Sequence, residues 1–162
     1  MLRLLTKNDQ KMILTLLNEP TFIKNIGDKN VRNLADAWHY ISSGPLAMHN
    51  SLGFCLYCCE LKQSGEPIGI SGLIKREGIT YPEIGFAFLD KHCRKGYGFE
   101  SASAVVNYAK TVLHLNKLQA ICNPDNQASS NLLVKLGFEF EKQILLDINV
   151  EKVNLYELRN PV

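Results

Sequence analysis

The stretch Lys91-His-Cys-Arg-Lys-Gly-Tyr-Gly-Phe-Glu100 sets two cations, Arg94 and Lys95, beside two glycines, Gly96 and Gly98, directly ahead of a strongly helical run. The chemistry open to that spacing is the holding of phosphate. The first N–H groups of a helix lack intrahelical partners, and the helix dipole favours negative charge there. Glycine lets the backbone approach a ligand closely or take a positive φ. Taken alone, the loop reads first as a solvated turn, because short glycine loops are common connectors. Cys93 lies inside it, but a cysteine nucleophile needs a base within reach, and His92 is only its neighbour in sequence.

The elements around the loop give it a frame. An apolar run, Ile84 to Leu89, precedes it, and Glu100 to Leu113 follows with Ala102, Val105, Val106, Ala109, Val112 and Leu113 on one helical face. Leu118 to Cys122 then reads as a short strand, so strand, helix and strand imply a parallel crossover. Upstream, Phe54 to Leu61, Ile68 to Ile74 and Tyr81 to Leu89 read as consecutive strands joined by the turns 63–66 and 76–78. Short turns make these strands an antiparallel meander. Ahead of the sheet, Leu2 to Leu5 is a strand candidate. Thr6 and Asp9 stand at capping-box spacing before a helix that ends near Asn18, with Met12, Ile13, Leu16 and Leu17 on one face. Phe22, Ile23 and Ile26 suggest a helical turn. Asn30 is the expected cap of a further helix carrying Val31, Leu34, Ala35, Trp38 and Ile41, stopped by Gly44-Pro45. After the crossover, Asn123 to Asn131 starts a helix through Leu136, Gly137 takes the C-cap position, and 138–146 with 150–158 closes the chain as a hairpin. The expected fold is α/β (α+β): a mixed, mostly antiparallel central sheet with a strand–loop–helix unit and helices on both faces.

Bulk properties narrow the function. A chain of 162 residues is expected to be one domain, 1–162, with a core of its own. A net charge of +2, with no long basic run, gives no case for a nucleic-acid partner. No apolar stretch is long enough to span a bilayer, and the first residues lack a signal-peptide pattern, so the expected location is cytoplasmic. Five cysteines, an odd count, argue against a disulfide framework. Cys55-x-x-Cys58 lies in a strand with no second pair, so buried thiols are expected and a metal site is not.

The ordered set Glu83-Ile-Gly-Phe86, Lys95-Gly-Tyr-Gly-Phe-Glu100, Asn126-x-x-Ser129 and Lys135-Leu-Gly-Phe138, together with the two early helices, resembles the GNAT acetyltransferase superfamily. Within it, the likeness is to the RimJ/RimL-like branch, whose members acetylate protein N-termini. The resemblance covers nearly the whole chain. Cys93 departs from the Gln/Arg that opens the general signature, a position where this branch varies. The resemblance implies acetyl-CoA as co-substrate, with its pyrophosphate on Arg94, Lys95, Gly96, Tyr97, Gly98 and Phe99. Asn126 and Ser129 match positions that face the pantetheine and thioester. From the residues alone, Asn126 reads equally as a helix cap and Ser129 as a solvated first-turn serine.

Making an amide from a thioester requires a neutral amine, donors for the developing oxyanion, and a proton or hydrogen bond for the leaving thiolate. An α-amine, with a pKa of about 8, needs less help than a lysine at about 10.4. In the family, the strand carrying Glu83 splays from its parallel neighbour and its freed N–H groups polarise the acetyl carbonyl; here they would be those of Phe86, Ala87 and Phe88. Glu83 is the candidate base, directly or through water, if partly buried; the alternative is an exposed strand glutamate. His92 and Glu100 are weaker candidates, and Glu100 is accounted for by the helix dipole. The tyrosine that many members use as general acid corresponds to Leu133, which donates nothing, so Ser129 is the candidate hydroxyl for the leaving sulfur. The expected activity is acetyl transfer to a primary amine, of a protein N-terminus or a small molecule, by a monomer or homodimer. The alternatives are a non-catalytic CoA-binding or sensor module and a nucleotide-binding domain. The latter has neither G-x-x-x-x-G-K-[ST] nor G-x-G-x-x-G to support it.

Overall fold

A computed structural model of the chain describes residues 1–146 and 152–159. Seven strands form one sheet: β1 (Leu2–Arg3), β2 (Leu56–Glu60), β3 (Pro67–Ile74), β4 (Glu83–Phe88), β5 (Lys117–Cys122), β6 (Glu139–Leu145) and β7 (Lys152–Arg159). Their order is β1-β2-β3-β4-β5-β7-β6, and only β4 and β5 are parallel. The meander β2–β3–β4 follows from turns too short for anything but antiparallel pairing. Gly65 and Gly78 supply the positive φ that those turns need. The last two strands pair as the expected hairpin; its tip lies outside the described residues.

Helices cover both faces. On one, α5 (Tyr97–Thr111) and α6 (Gln127–Lys135) bury Ala102, Val105, Ala109 and Leu133 against Leu73, Ile84, Leu118, Ala120 and Phe138. On the other, α1 (Gln10–Asn18), α2 (Pro20–Ile26) and α3 (Leu34–Ile41) bury Ile13, Leu16, Leu17, Phe22 and Ile41 against Ile70 and Leu89. Strand side chains alternate. Ile84 therefore faces α5 and α6, while Glu83, Ala87 and Leu89 face α1 to α3.

Three local expectations are corrected. Asn30 does not cap α3. Its φ is +56° and its N–H is held by the Asp28 carboxylate, whereas Asn33, extended at φ −148°, accepts from the Asp36 N–H at 2.9 Å. The shorter α3 leaves Val31 buried ahead of it and turns Leu34 and Ala35 outward, with Ala37 and Ile41 facing the core. Gly44-Pro45 does not stop the helix. Ser42–Leu46 passes through a π turn, wide enough to take a proline that lacks an N–H and crowds the preceding turn, and α4 (Ala47–Leu52) continues to Gly53. Finally, α5 starts at Tyr97 and ends at Thr111, which leaves Val112 beyond the helix and 55% exposed.

Candidate active site

Along β4 the sheet opens. Glu83 faces Gln119 in the single paired rung between β4 and β5, fastened by the Gln119 N–H donating to the Pro82 carbonyl at 2.9 Å. The same rung continues to Glu157 on β7. All three side chains are buried. Gln119 accepts from the Tyr81 N–H and donates to Glu157, which Lys117 holds at 2.8 Å. Beyond this polar row, β4 stays paired with β3 as far as Phe88 but has no further rung with β5. In an antiparallel ladder, successive peptide groups point to alternate edges. Leu89 donates to Ile68 on β3, and the carbonyl of Ala87 lies against Gly69. The N–H groups of Phe86 and Phe88 therefore face the gap. Ala87, grouped with them from the sequence, turns its N–H into the β3 ladder.

At the far end of β4, a short helical turn (Asp90–His92) leads to Gly96, whose φ of +87° swings the chain into α5. Arg94 also has a positive φ, 61°, unusual for a residue with a side chain. The first helical bond of α5 is Glu100 N–H to Gly96 C=O, so the N–H groups of Tyr97, Gly98 and Phe99 have no intrahelical partner. Arg94 and Lys95 are exposed beside them. Lys135, at the end of α6, lies 4.3 Å from the centroid of the Phe99 ring and adds a third cation. The two glycines do different work. Gly96 supplies a backbone angle, with nothing within 4 Å of where a Cβ would stand. At Gly98 a Cβ would sit 3.0 Å from Leu132 Cδ1, so this glycine lets α6 pack closely on α5. A diphosphate fits the loop's donors and charge, and an extended chain with amide groups fits the exposed edge of β4.

Glu83 is 3% exposed, not the solvent-facing residue that was the other reading. Arg76 donates to it from Nε at 2.8 Å and from Nη2 at 3.4 Å. Burial raises its pKa, against the opposing pull of Arg76 and Lys29. Asn126 is the N-cap of α6, accepting from the Ser129 N–H at 3.1 Å. Ser129 is half-buried in the first turn. Leu133 is 1% exposed in the core beneath α5. His92 is at the opposite end of β4 from Glu83, buried, with Nε2 3.2 Å from Glu66. The Cys93 thiol is pushed up by burial and by the negative charges of Asp90 and Glu19, the opposite of what a thiolate nucleophile requires. The other four cysteines are buried, as expected of thiols packed as small hydrophobes.

Sequence reading overlooked Arg76 except as a turn residue, did not single out Gln119 or Lys29, and named Lys135 only as the start of Lys135-Leu-Gly-Phe138, without a role for its charge. Register is the signal that finds Arg76: Ile74 opposes Glu83, and a residue two further along lies on the same face. Among the described residues, no helix is long and apolar enough to cross a membrane.

Residues 1–139 match the family described as Acetyltransferase (GNAT) domain. Among curated proteins, the chain is 29% identical over 149 residues to YkkB of Bacillus subtilis, spanning 88% of this chain and 83% of that protein. It is 28% identical over 141 residues to the uncharacterized N-acetyltransferase YoaA of the same organism, spanning 86% and 79%. A shorter match, 34% over 58 residues, 36% of this chain and 30% of the relative, reaches the ribosomal protein uS5-alanine N-acetyltransferase of Escherichia coli and supports the RimJ/RimL-like branch. The fold is that of an acetyltransferase from Agrobacterium tumefaciens (TM-score 0.82, 22% identity, 98% of this chain and 89% of that one). It is also that of spermidine N-acetyltransferase from Vibrio cholerae in complex with CoA and spermine (TM-score 0.81, 18% identity, 99% and 95%). A family match over that much of the sequence decides the matter, and the chain belongs to the GNAT acetyltransferase family.

Proposed function

We propose that this acetyltransferase moves the acetyl group of acetyl-CoA to a primary amine by direct attack on the thioester. The observation that carries the reading is the single rung at Glu83 and Gln119, from which β4 and β5 part toward the cationic start of α5. The complex of the Vibrio cholerae relative with CoA supports it. The pyrophosphate is held by the N–H groups of Tyr97, Gly98 and Phe99 at the αL turn of Gly96, with Arg94 and Lys95 beside it. The pantetheine lies along the open edge of β4, where the N–H groups of Phe86 and Phe88 meet its amides and the acetyl oxygen. Gly85, between Glu83 and Ala87 on the α1-to-α3 face, admits the Leu56 side chain, whose Cδ2 would stand 3.3 Å from a Cβ there.

Glu83 takes the proton that the amine loses as its nitrogen bonds to the acetyl carbon. A carboxylate with a raised pKa suits that role better than an ordinary one, since the proton it must hold comes from a weak acid. The C–S bond then breaks, and the thiolate accepts a hydrogen bond from Ser129 or a proton from water. Leu133, sealed in the core, cannot supply one. That absence also favours the second reading, a CoA-binding module without turnover.

The test is to incubate the protein with acetyl-CoA and a library of amines and peptides, and to follow acetylated products and free CoA by mass spectrometry. Acetylated amine with stoichiometric CoA is the expected result. Tight acetyl-CoA binding with neither product selects the binding module instead.

A further inference from the structure

The face of β4 that an amine must approach to reach Glu83 is the one toward α1 to α3, and its charge is legible. Arg76 reaches Glu83 from the β3–β4 turn using Nε and Nη2. Among the described residues, Nη1 of Arg76 has no protein partner, and the Arg76 side chain is 32% exposed, so part of the guanidinium fork remains available from the solvent side. Lys29, in the segment between α2 and α3, adds a second cation to the same neighbourhood. Its side chain is exposed, and its ammonium is near enough to Arg76 and Glu83 to feel both charges, the first disfavouring and the second favouring its own. It too has no hydrogen-bonded or ion-paired partner among the described residues. The charges acting on Glu83 are those of Arg76 and Lys29, both positive.

Around Glu83, the one buried carboxylate here, the charges that act on it are two cations, one of them only partly engaged by it. An amine that brings only positive charge is repelled by them. An acceptor with an acidic group near its amine would find a part-open guanidinium, which pairs with carboxylates in a planar two-pronged geometry, and an unpaired ammonium beside it. We propose, building on the acetyl-transfer reading, that Arg76 and Lys29 select an amine acceptor that carries its own carboxylate. Arg76 also positions Glu83, so one residue links acceptor choice to the base. The carboxylate has two sources with the same chemistry: the α-carboxylate of a free amino acid, or an acidic side chain next to a peptide N-terminus.

The experiment compares kcat/KM within matched pairs. Glycine against glycinamide addresses the free amino acid. Ala-Glu-Ala-Ala amide against Ala-Gln-Ala-Ala amide addresses the peptide. Spermidine serves as an acceptor of purely positive charge. The acidic member of one pair is expected to be preferred by tenfold or more, and the pair in which this happens identifies the source. Spermidine is expected to be the poorest substrate. The preference should shrink as salt is raised, because the attraction is between partly exposed charges. Lys29→Glu and Arg76→Gln should each cut the ratio by at least tenfold. A loss of folding or general activity would lower both members together and leave the ratio unmoved. Lys29→Glu keeps the test informative if Arg76→Gln, which strips Glu83 of its partner, does not fold. Equal or reversed preference, or a ratio unchanged in both variants, overturns the proposal while acetyl transfer stands. No acetylation of any member overturns both.

Discussion

Arg76 Nε lies 2.8 Å from Glu83 Oε2, so the most deeply buried carboxylate beside the opening of the sheet is held by a cation from the turn just before its own strand. Burial and this ion pair pull in opposite directions, and burial dominates. A base of this kind must lose its proton to work, so activity is expected to rise with pH through a pKa above the ordinary glutamate value of about 4.3. In Arg76→Gln the opposing pull is gone, and the acid limb of kcat/KM should move to higher pH. A limb that stays in place or moves to lower pH would show that Arg76 does not govern the group being titrated.

Glu83→Gln keeps the shape of the side chain and removes its basicity. Turnover should fall about 10²–10⁴-fold, the usual contribution of a positioned base. Acetyl-CoA affinity should change little, because the proposed cofactor contacts lie further along β4 and at α5. Calorimetry and steady-state rates on the same preparation separate the two effects.

Gly96 and Gly98 are predicted to fail differently. Gly96→Val forces a branched side chain to φ +87°, a strain of about 1–3 kcal/mol, but meets no neighbour. The fold should survive with a somewhat lower Tm, and acetyl-CoA affinity should drop more than tenfold as the loop shifts. Gly98→Val drives a Cβ to 3.0 Å from Leu132 Cδ1, so the melting temperature should fall through the α5–α6 contact as well. Unchanged acetyl-CoA affinity in Gly96→Val would make the loop a turn and nothing more.

Asp9 anchors the first helix. It accepts from Arg3 Nη1 and Nη2 at 2.8 and 2.9 Å and from the Thr6 N–H at 2.7 Å, and is 2% exposed. Burial alone would raise its pKa, but the Arg3 and Thr6 hydrogen bonds together hold it below the usual range. With the folded value depressed, its contribution to stability is present above the unfolded pKa of about 3.9 and is lost as pH falls through the folded one. Asp9→Asn should cost about 3 kcal/mol at neutral pH, and the difference from wild type should narrow in melts taken below pH 4.

The elements were legible where periodicity is strong. The β2–β3–β4 meander, the crossover through α5 and the closing hairpin all follow from apolar pattern and turn residues. Asn33 was missed because Asn30 is an equally good cap by residue type. Only the backbone distinguishes the extended Asn33 from the left-handed Asn30. Pro45 was read as a stop because local chemistry says so, and packing overrides it through a π turn. At the site, the glycine loop and Glu83 could be read from the chain. The Arg76 partnership could not, because it depends on the register of β3 and β4 and on which face Glu83 occupies. Which of Phe86, Ala87 and Phe88 offers its N–H to the gap likewise needs the ladder's phase. A single rung between β4 and β5 leaves no mark in composition or period.

The central claim is that the opened edge of β4 and the start of α5 form a CoA site, and thermal melting with acetyl-CoA tests it most directly. At about a hundredfold over its dissociation constant, acetyl-CoA should stabilise the fold by roughly 2.7 kcal/mol. For a chain of this size that corresponds to a rise in Tm of about 5–11 °C, with ATP and NAD at the same concentration giving little. No shift with acetyl-CoA, or an equal shift with all three, would contradict the account.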